Sequence, residues 1–158
     1  TAMKNAPRDH PAAPTPCPEC GAPVPAGGQC KDAFGQLLAL EAELPGAAGS
    51  ALHFYAVACY NLQHPDAMRL TQDALHGLAA NLADELAGRA TLAEIRLRTR
   101  RQVDGATRVL RREGEPPPTW VRGAWPMHVA DVLAGGVDRY AANVTAWARS
   151  VCATLDDR

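Results

Sequence analysis

Three cysteines lie within one short segment near the start of the chain, "CPECGAPVPAGGQC" (residues 17–30). Cys17 and Cys20 are separated by two residues and followed by Gly21, a spacing typical of a metal knuckle, in which a tight turn brings two thiolates onto one ion. Cys30 stands at the predicted start of a helix, whose positive end favours a thiolate. Three clustered thiolates suit Zn²⁺, so the segment predicts a zinc site.

The fourth ligand follows from the helices that the next residues predict. A helix beginning at Cys30 and a helix ending near Gln63 are joined by the short loop "PGAAGS" (residues 45–50), so they should lie antiparallel with their far ends together. This arrangement brings His64 to Cys30, whereas His53 lies about 16 Å away along the helix axis at 1.5 Å per residue. We predict His64 as the fourth ligand, with His53 as the alternative.

A second group of residues has side chains suited to acid–base chemistry. His53, Tyr60 and His64 share one face of the second predicted helix, and His128 and Asp131 lie at the start of a later one. A pocket lined by His53, Tyr60, His128 and Asp131 would use histidine as acid or base near neutral pH, and these four are the candidate catalytic residues. The sequence contains no phosphate-binding loop, nucleotide fingerprint or serine elbow, so it indicates no substrate.

The elements that must position these residues are helices. Alanine and leucine dominate the chain after residue 30 and aromatic content is only 5%, which favours helices over sheet. The predicted helices span about residues 30–44, 51–63, 66–86, 91–112 and 125–155. In the fourth helix the residues expected to face the core are Leu92, Ile95, Val103, Ala106 and Leu110; in the last they include Val137, Tyr140, Val144, Trp147 and Val151. The fold class is therefore all-α, an up-and-down bundle of about five helices with an N-terminal zinc-binding loop.

Length and charge limit the domain organisation and the partners. Residues 1–15 are expected to be a flexible lead-in whose first residues, "TAM", resemble a vector-derived remnant, and residues 16–158 a single zinc-clasped helical domain. The net charge of −1 provides no general attraction to nucleic acid. No apolar run reaches the roughly 18 residues of a membrane span and no signal core is present, so we expect a cytoplasmic protein without a membrane partner.

One basic segment opens a further alternative. Seven arginines fall within "RLRTRRQVDGATRVLRR" (residues 96–112), and together with a zinc knuckle they could contact nucleic acid. The i, i+4 pairs Glu94–Arg98 and Asp104–Arg108 instead indicate a solvated helix face, which disfavours nucleic-acid binding.

Two resemblances accompany these motifs. The Cys-x2-Cys-Gly knuckle, a later Cys followed by Phe34 and a leucine pair, the motif "HxxxVxxYxxQHP" (residues 53–65) and the segment "WARSV" (147–151) together resemble a family of uncharacterised small bacterial proteins, which implies no activity. The segment "WPMHVADVLAG" is more weakly similar to DinB-type metal-dependent helical bundles. That resemblance implies a metal held inside the bundle by a histidine triad, here His53, His76 and His128.

Together these features predict a zinc-binding helical-bundle protein whose Cys3His zinc is mainly structural and which binds an unidentified small ligand or protein partner. One alternative is a metabolic enzyme that uses the histidine- and tyrosine-lined pocket, or a catalytic zinc on which water replaces His64. The other is a zinc-knuckle protein that binds nucleic acid through the arginine-rich helix. The sequence does not decide whether the protein is an enzyme.

Overall fold

The computed structural model describes residues 13–24, 27–47, 50–105 and 107–158. In these ranges the chain forms a two-stranded antiparallel hairpin followed by six helices. The elements are β1 (Thr15–Pro16), β2 (Pro23–Val24), α1 (Cys30–Ala42), α2 (Ala51–Gln63), α3 (Gln72–Leu86), α4 (Leu92–Asp104), α5 (Val129–Leu133) and α6 (Gly136–Asp156). The predicted all-α bundle is confirmed.

Helix α6 forms the centre of the bundle and packs against α1, α2, α3 and α5. Its stripe of Tyr140, Val144, Trp147 and Val151 is buried, as the spacing of these residues predicts. The single helix predicted from residue 125 onward is instead divided into α5 and α6. Gly135 and Gly136 both adopt positive φ, a conformation that ends a helix and that glycine adopts without strain.

The described helices include none with the length and apolarity that a bilayer crossing requires.

The predicted start of α3 is wrong by several residues. Residues 65–69 form turns, and α3 begins only after Thr71, whose hydroxyl accepts a hydrogen bond of 3.1 Å from the Ala74 amide. Such an N-cap satisfies one of the free amides of the first turn, which Pro65 cannot do. These turns separate α2 from α3, and His64 lies at the C-terminal end of α2.

The predicted extension of α4 to residue 112 is also wrong. The helix ends at Asp104 with Gly105 as its C-cap, and Leu110 forms a bridge with Leu70 and is 58% exposed rather than buried. Ile95 is buried as predicted, whereas Ala106 and the side chain of Val103 lie outside the described residues. Helix α4 buries little apolar surface. Extending it would therefore add little stability, because most of the stability of helices in proteins comes from packing.

A buried carboxylate ties three helices together. Glu41, with a side chain only 5% exposed, accepts a hydrogen bond of 2.7 Å from the Tyr140 hydroxyl and lies 2.6 Å from Nδ1 of His53. Both of its oxygens therefore have partners, as a buried carboxylate requires. The contact joins the end of α1 to the start of α2 and to α6.

We expect replacement of Glu41 by Ala to lower the free energy of unfolding by roughly 2–4 kcal/mol, because it leaves the buried Tyr140 hydroxyl without an acceptor and opens a cavity. Urea denaturation measures this change. The matched control is Glu43→Ala, which removes an exposed carboxylate near the same helix end and should change stability by less than about 0.5 kcal/mol. Equal effects of the two substitutions would contradict the structural role of Glu41.

Candidate metal centre

Four side chains from three elements converge at one end of the bundle. The ligand atoms of Cys17, Cys20, Cys30 and His64 all lie within 4.8 Å of one another. Cys17 and Cys20 belong to the β-hairpin, Cys30 is the first residue of α1, and His64 caps the end of α2. The sulfurs of Cys20 and Cys30 are 3.6 Å apart, close to the roughly 3.8 Å that two zinc–sulfur bonds of 2.3 Å enforce in a tetrahedron. The four residues fit a tetrahedral metal ion.

The backbone of the knuckle is shaped for sulfur. The Gly21 amide donates to the Cys17 carbonyl at 2.8 Å, and the Ala22 amide donates to Sγ of Cys20 at 3.4 Å. Gly21 has a φ of +82°, and a Cβ there would lie 2.8 Å from the carbonyl oxygen of Gly123. Glycine is therefore required at this position both by conformation and by the close approach of a distant loop.

His64 has the tautomer and the burial of a metal ligand. Its Nδ1 lies 2.9 Å from the Tyr60 carbonyl, an acceptor, so Nδ1 must carry the proton and Nε2 a lone pair. His64 is 2% exposed, and its Nε2 has no hydrogen-bond partner among the described residues. Burial lowers the pKa of His64, which keeps the imidazole neutral and able to bind a cation.

A stack of rings fixes the orientation of that imidazole. The Tyr60 ring lies 4.2 Å from the His64 ring on one face and 4.1 Å from the Phe34 ring on the other. Phe34 belongs to α1 and Tyr60 to α2, so packing between the two helices also sets the plane of the histidine. Burial raises the pKa of Tyr60 to about 12, and the phenol is protonated at neutral pH.

Glu19, inside the knuckle, attaches the hairpin to the turn that follows His64. Its Oε1 accepts hydrogen bonds from the amides of Asp66 at 2.6 Å and Ala67 at 3.3 Å, and its carbonyl accepts from the Gly123 amide at 2.8 Å. Asp66 in turn forms a two-bond ion pair with Arg122. Sequence reasoning missed Glu19, because nothing in the spacing of residues 17–20 indicates a contact with residues 66 and 67.

The side chain of His128 contacts the backbone of the cysteine segment. Nε2 of His128 lies 2.8 Å from the Cys20 carbonyl and therefore donates to it. Asp131 accepts from the His128 amide at 2.8 Å at the start of α5. These bonds hold α5 against the knuckle.

The candidate catalytic residues lie in different parts of the structure. His53 pairs with Glu41 at the opposite end of α2, whereas Tyr60 and His128 lie beside the cysteine cluster. Among the described residues, the cysteine cluster is the only group of three or more His, Cys, Asp or Glu side chains close enough to hold a metal. His76, which contacts Gln72 and the Trp120 ring, therefore forms no metal-binding triad with His53 and His128.

The protonation of the cysteines depends on their surroundings. Burial raises the pKa of Cys20 to about 11 and also raises the pKa of Cys30. At Cys17 burial acts in the same direction, but hydrogen bonds from the backbone of Cys20 and Glu19 outweigh it and lower the pKa. Without a cation at the centre, Cys20 and Cys30 are neutral thiols at pH 7.

A cavity of about 330 Å³ opens beside the cluster. Cys17 and Cys30, both half-buried, line it together with Tyr60 and His64, whereas Cys20 is 1% exposed. Residues of the hairpin and Lys31 complete its walls. Two of the three cysteines therefore border open space on one side of the cluster.

The arginine-rich segment is partly neutralised by ion pairs. Its ion pairs join Arg98 to Asp84, Arg108 to Glu115 and Arg111 to Asp66. The sequence predicts an ion pair between Asp104 and Arg108 on one helix. Helix α4 ends at Asp104, so the two residues do not share a helix, and Arg108 pairs with Glu115.

Comparison with known proteins identifies a family and no activity. Residues 15–156 match the sequence model of a family described as a family of unknown function (DUF5946). No curated protein and no solved structure matches the chain.

Metal binding at this centre should strengthen as the pH rises. The raised pKa values of Cys20 and Cys30 keep both thiols protonated at neutral pH, so a cation must displace at least two protons. We expect the apparent association constant to rise about 100-fold per pH unit between about pH 6 and 8. Chelator competition at several pH values measures it, and an affinity independent of pH would contradict the assignment of the thiols as ligands.

Proposed function

The chain belongs to the family of unknown function DUF5946, and we propose that it is a zinc-binding protein in which Cys17, Cys20, Cys30 and His64 hold a structural Zn²⁺. The observation that carries this proposal is the state of His64. Its buried Nε2 has a lone pair and no hydrogen-bond partner in the described part of the chain, and three sulfurs lie within 4.8 Å. A cation is the partner that such a group of atoms requires.

The donor set supports zinc as the cation. Three thiolates and one imidazole are soft to intermediate ligands, which disfavour Mg²⁺ and Ca²⁺, and a tetrahedral arrangement with a closed coordination sphere is typical of structural zinc. When bound, the ion supplies a positive charge that stabilises the thiolates, and the four residues supply all of its ligands.

A structural role agrees with the elements that the ligands come from. The β-hairpin has two very short strands and cannot be stable alone, so it depends on its contacts with the helical core, which Cys20 and Ala22 join. An ion bound by all three would fasten the hairpin to the bundle. On this proposal residues 16–158 fold as a single zinc-clasped domain.

The catalytic alternatives receive less support. A Lewis-acid zinc needs a position open to water, and His64 is oriented to fill that position. The acid–base alternative requires His53 and His128 to share a pocket, but they bond to Glu41 and to the Cys20 carbonyl respectively. The cavity beside Cys17 and Cys30 is where we place the binding of a small ligand or of a segment of a protein partner.

Metal analysis combined with cobalt substitution tests the proposal. Purified protein should contain one zinc per chain, and Co²⁺ in its place should give the intense visible bands of a tetrahedral site together with sulfur-to-cobalt charge transfer. A stoichiometric metal other than zinc would change the identity of the cofactor. Absence of any bound metal, with no binding of added Zn²⁺, would refute the function.

Two histidines on the same helix provide a matched test of the ligand assignment. We expect His64→Gln to weaken zinc binding by at least about 100-fold, since it removes a ligand from a closed site. His53→Gln, which retains a donor for Glu41, should leave the affinity unchanged. Competition with a chromophoric chelator measures both, and full affinity in the His64 variant would exclude this residue as the fourth ligand.

Zinc removal should destabilise the domain without abolishing its helical core. With free zinc about 1,000-fold above its dissociation constant, linkage predicts roughly 4 kcal/mol of added stability against urea. Hydrogen exchange should show loss of protection in the hairpin and at the starts of α1 and α5, while α6 stays protected. Equal unfolding free energies with zinc and with chelator would contradict a structural role.

A further inference from the structure

We propose that the cysteine cluster is also a site of oxidative modification, in which the thiolate of Cys30 reacts with a hydroperoxide and Cys20 then closes a disulfide with it. This inference rests on the proposed zinc site and adds a reaction to it. Its consequence is that oxidation releases the metal from the protein.

Accessibility singles out which sulfurs a hydroperoxide can reach. Cys30 is half-buried and lines the 330 Å³ cavity beside the cluster, whereas Cys20 is 1% exposed and does not line that cavity. The cavity is large compared with the roughly 30 Å³ share of one water molecule in the liquid, and a small hydroperoxide fits beside the sulfur. Oxidation of a cysteine requires a thiolate that is exposed, and a bound cation supplies the thiolate.

Geometry singles out the pair that forms the disulfide. Sγ of Cys20 lies 3.6 Å from Sγ of Cys30, so a bond of about 2.05 Å requires an approach of only about 1.5 Å. Cys30 is the first residue of α1, where side-chain rotation disturbs no preceding helical turn. The buried Cys20 is thus the resolving cysteine, reached by its neighbour and shielded from the oxidant.

The reaction balances with a hydroperoxide as the named oxidant. The Cys30 sulfur attacks the terminal peroxide oxygen, an S–O bond forms, and the O–O bond breaks to release an alkoxide that takes a solvent proton. The Cys20 thiolate then attacks the Cys30 sulfur, the S–S bond forms, and hydroxide leaves and takes a second proton. Two thiolates, one hydroperoxide and two solvent protons become one disulfide, one alcohol and one water, and two electrons pass from sulfur to oxygen.

The two cysteines outside the cluster lack these properties. Cys59 is fully buried, and burial raises its pKa well above the usual range. Burial also raises the pKa of Cys152, to about 11. Both therefore remain neutral thiols, and neither belongs to the cluster that a cation would ionise. Cys152, half-buried and outside the metal centre, serves as the internal control.

The test treats the zinc-loaded, full-length protein with hydrogen peroxide and follows two readouts. Released zinc is measured with a chromophoric chelator, and disulfides are mapped by peptide mass spectrometry after the remaining thiols have been alkylated. We expect zinc release to accompany formation of a Cys20–Cys30 disulfide, and dithiothreitol with added zinc to restore the starting state. Cys152→Ser should release zinc at the rate of the unaltered protein, whereas Cys30→Ser should release it at least about tenfold more slowly if it retains zinc.

The outcomes separate this inference from the function on which it rests. Protein that contains no zinc before oxidation refutes the proposed function itself. Zinc-loaded protein that retains its metal and its thiols in peroxide overturns only the modification site, as does a disulfide that pairs Cys17 with either neighbour. Because mapping is carried out on the unaltered chain, the result does not depend on whether the Cys30 variant folds.

Discussion

The arrangement of the bundle's metal-binding end depends on one buried nitrogen. Nε2 of His64 is removed from water and has no hydrogen-bond partner in the described structure, a condition that costs roughly 1–3 kcal/mol when nothing compensates it. Three sulfurs lie within 4.8 Å of it, and burial disfavours the ionisation of two of them, those of Cys20 and Cys30. A bound cation removes both penalties together, because it accepts the lone pair and stabilises the thiolates. The neighbouring contacts, from the Tyr60 stack to the Glu19 carboxylate, hold these four atoms in place.

Much of this end follows from sequence, because helix periodicity and loop length are local properties. A short loop between α1 and α2 requires an antiparallel pair, and that alone places His64 rather than His53 beside Cys30. The buried stripe of α6 follows from the spacing of its apolar residues in the same way. The errors at α3 and α4 share a cause: residues 69–71 pair with residues 109–111, and pairing between such distant segments overrides helix propensity.

The contacts that sequence could not predict are those between polar groups far apart in the chain. Glu41 and Tyr140 are both on helices whose apolar patterns are clear, but no pattern indicates that a carboxylate on one accepts from a hydroxyl on the other. The same holds for His128, which sequence analysis assigned to acid–base chemistry. Its hydrogen bond to the Cys20 carbonyl depends on how α5 packs on the hairpin, and that is a result of tertiary structure.

Different interactions hold together the two ends of the α1–α2 pair, so the two ends differ in their properties. At the loop end, Glu41 pairs with His53 and Tyr140, groups that need neither an ion nor a redox state. At the open end, the proposed cation would join Cys30 to His64, and it would do so only while the sulfurs are reduced. Loss of such a cation would remove one attachment of the hairpin and weaken the open end, whereas the buried carboxylate and the α6 core would keep their contacts. On the proposed function, the part of the molecule that depends on metal and on oxidation state is therefore the end that borders the cavity.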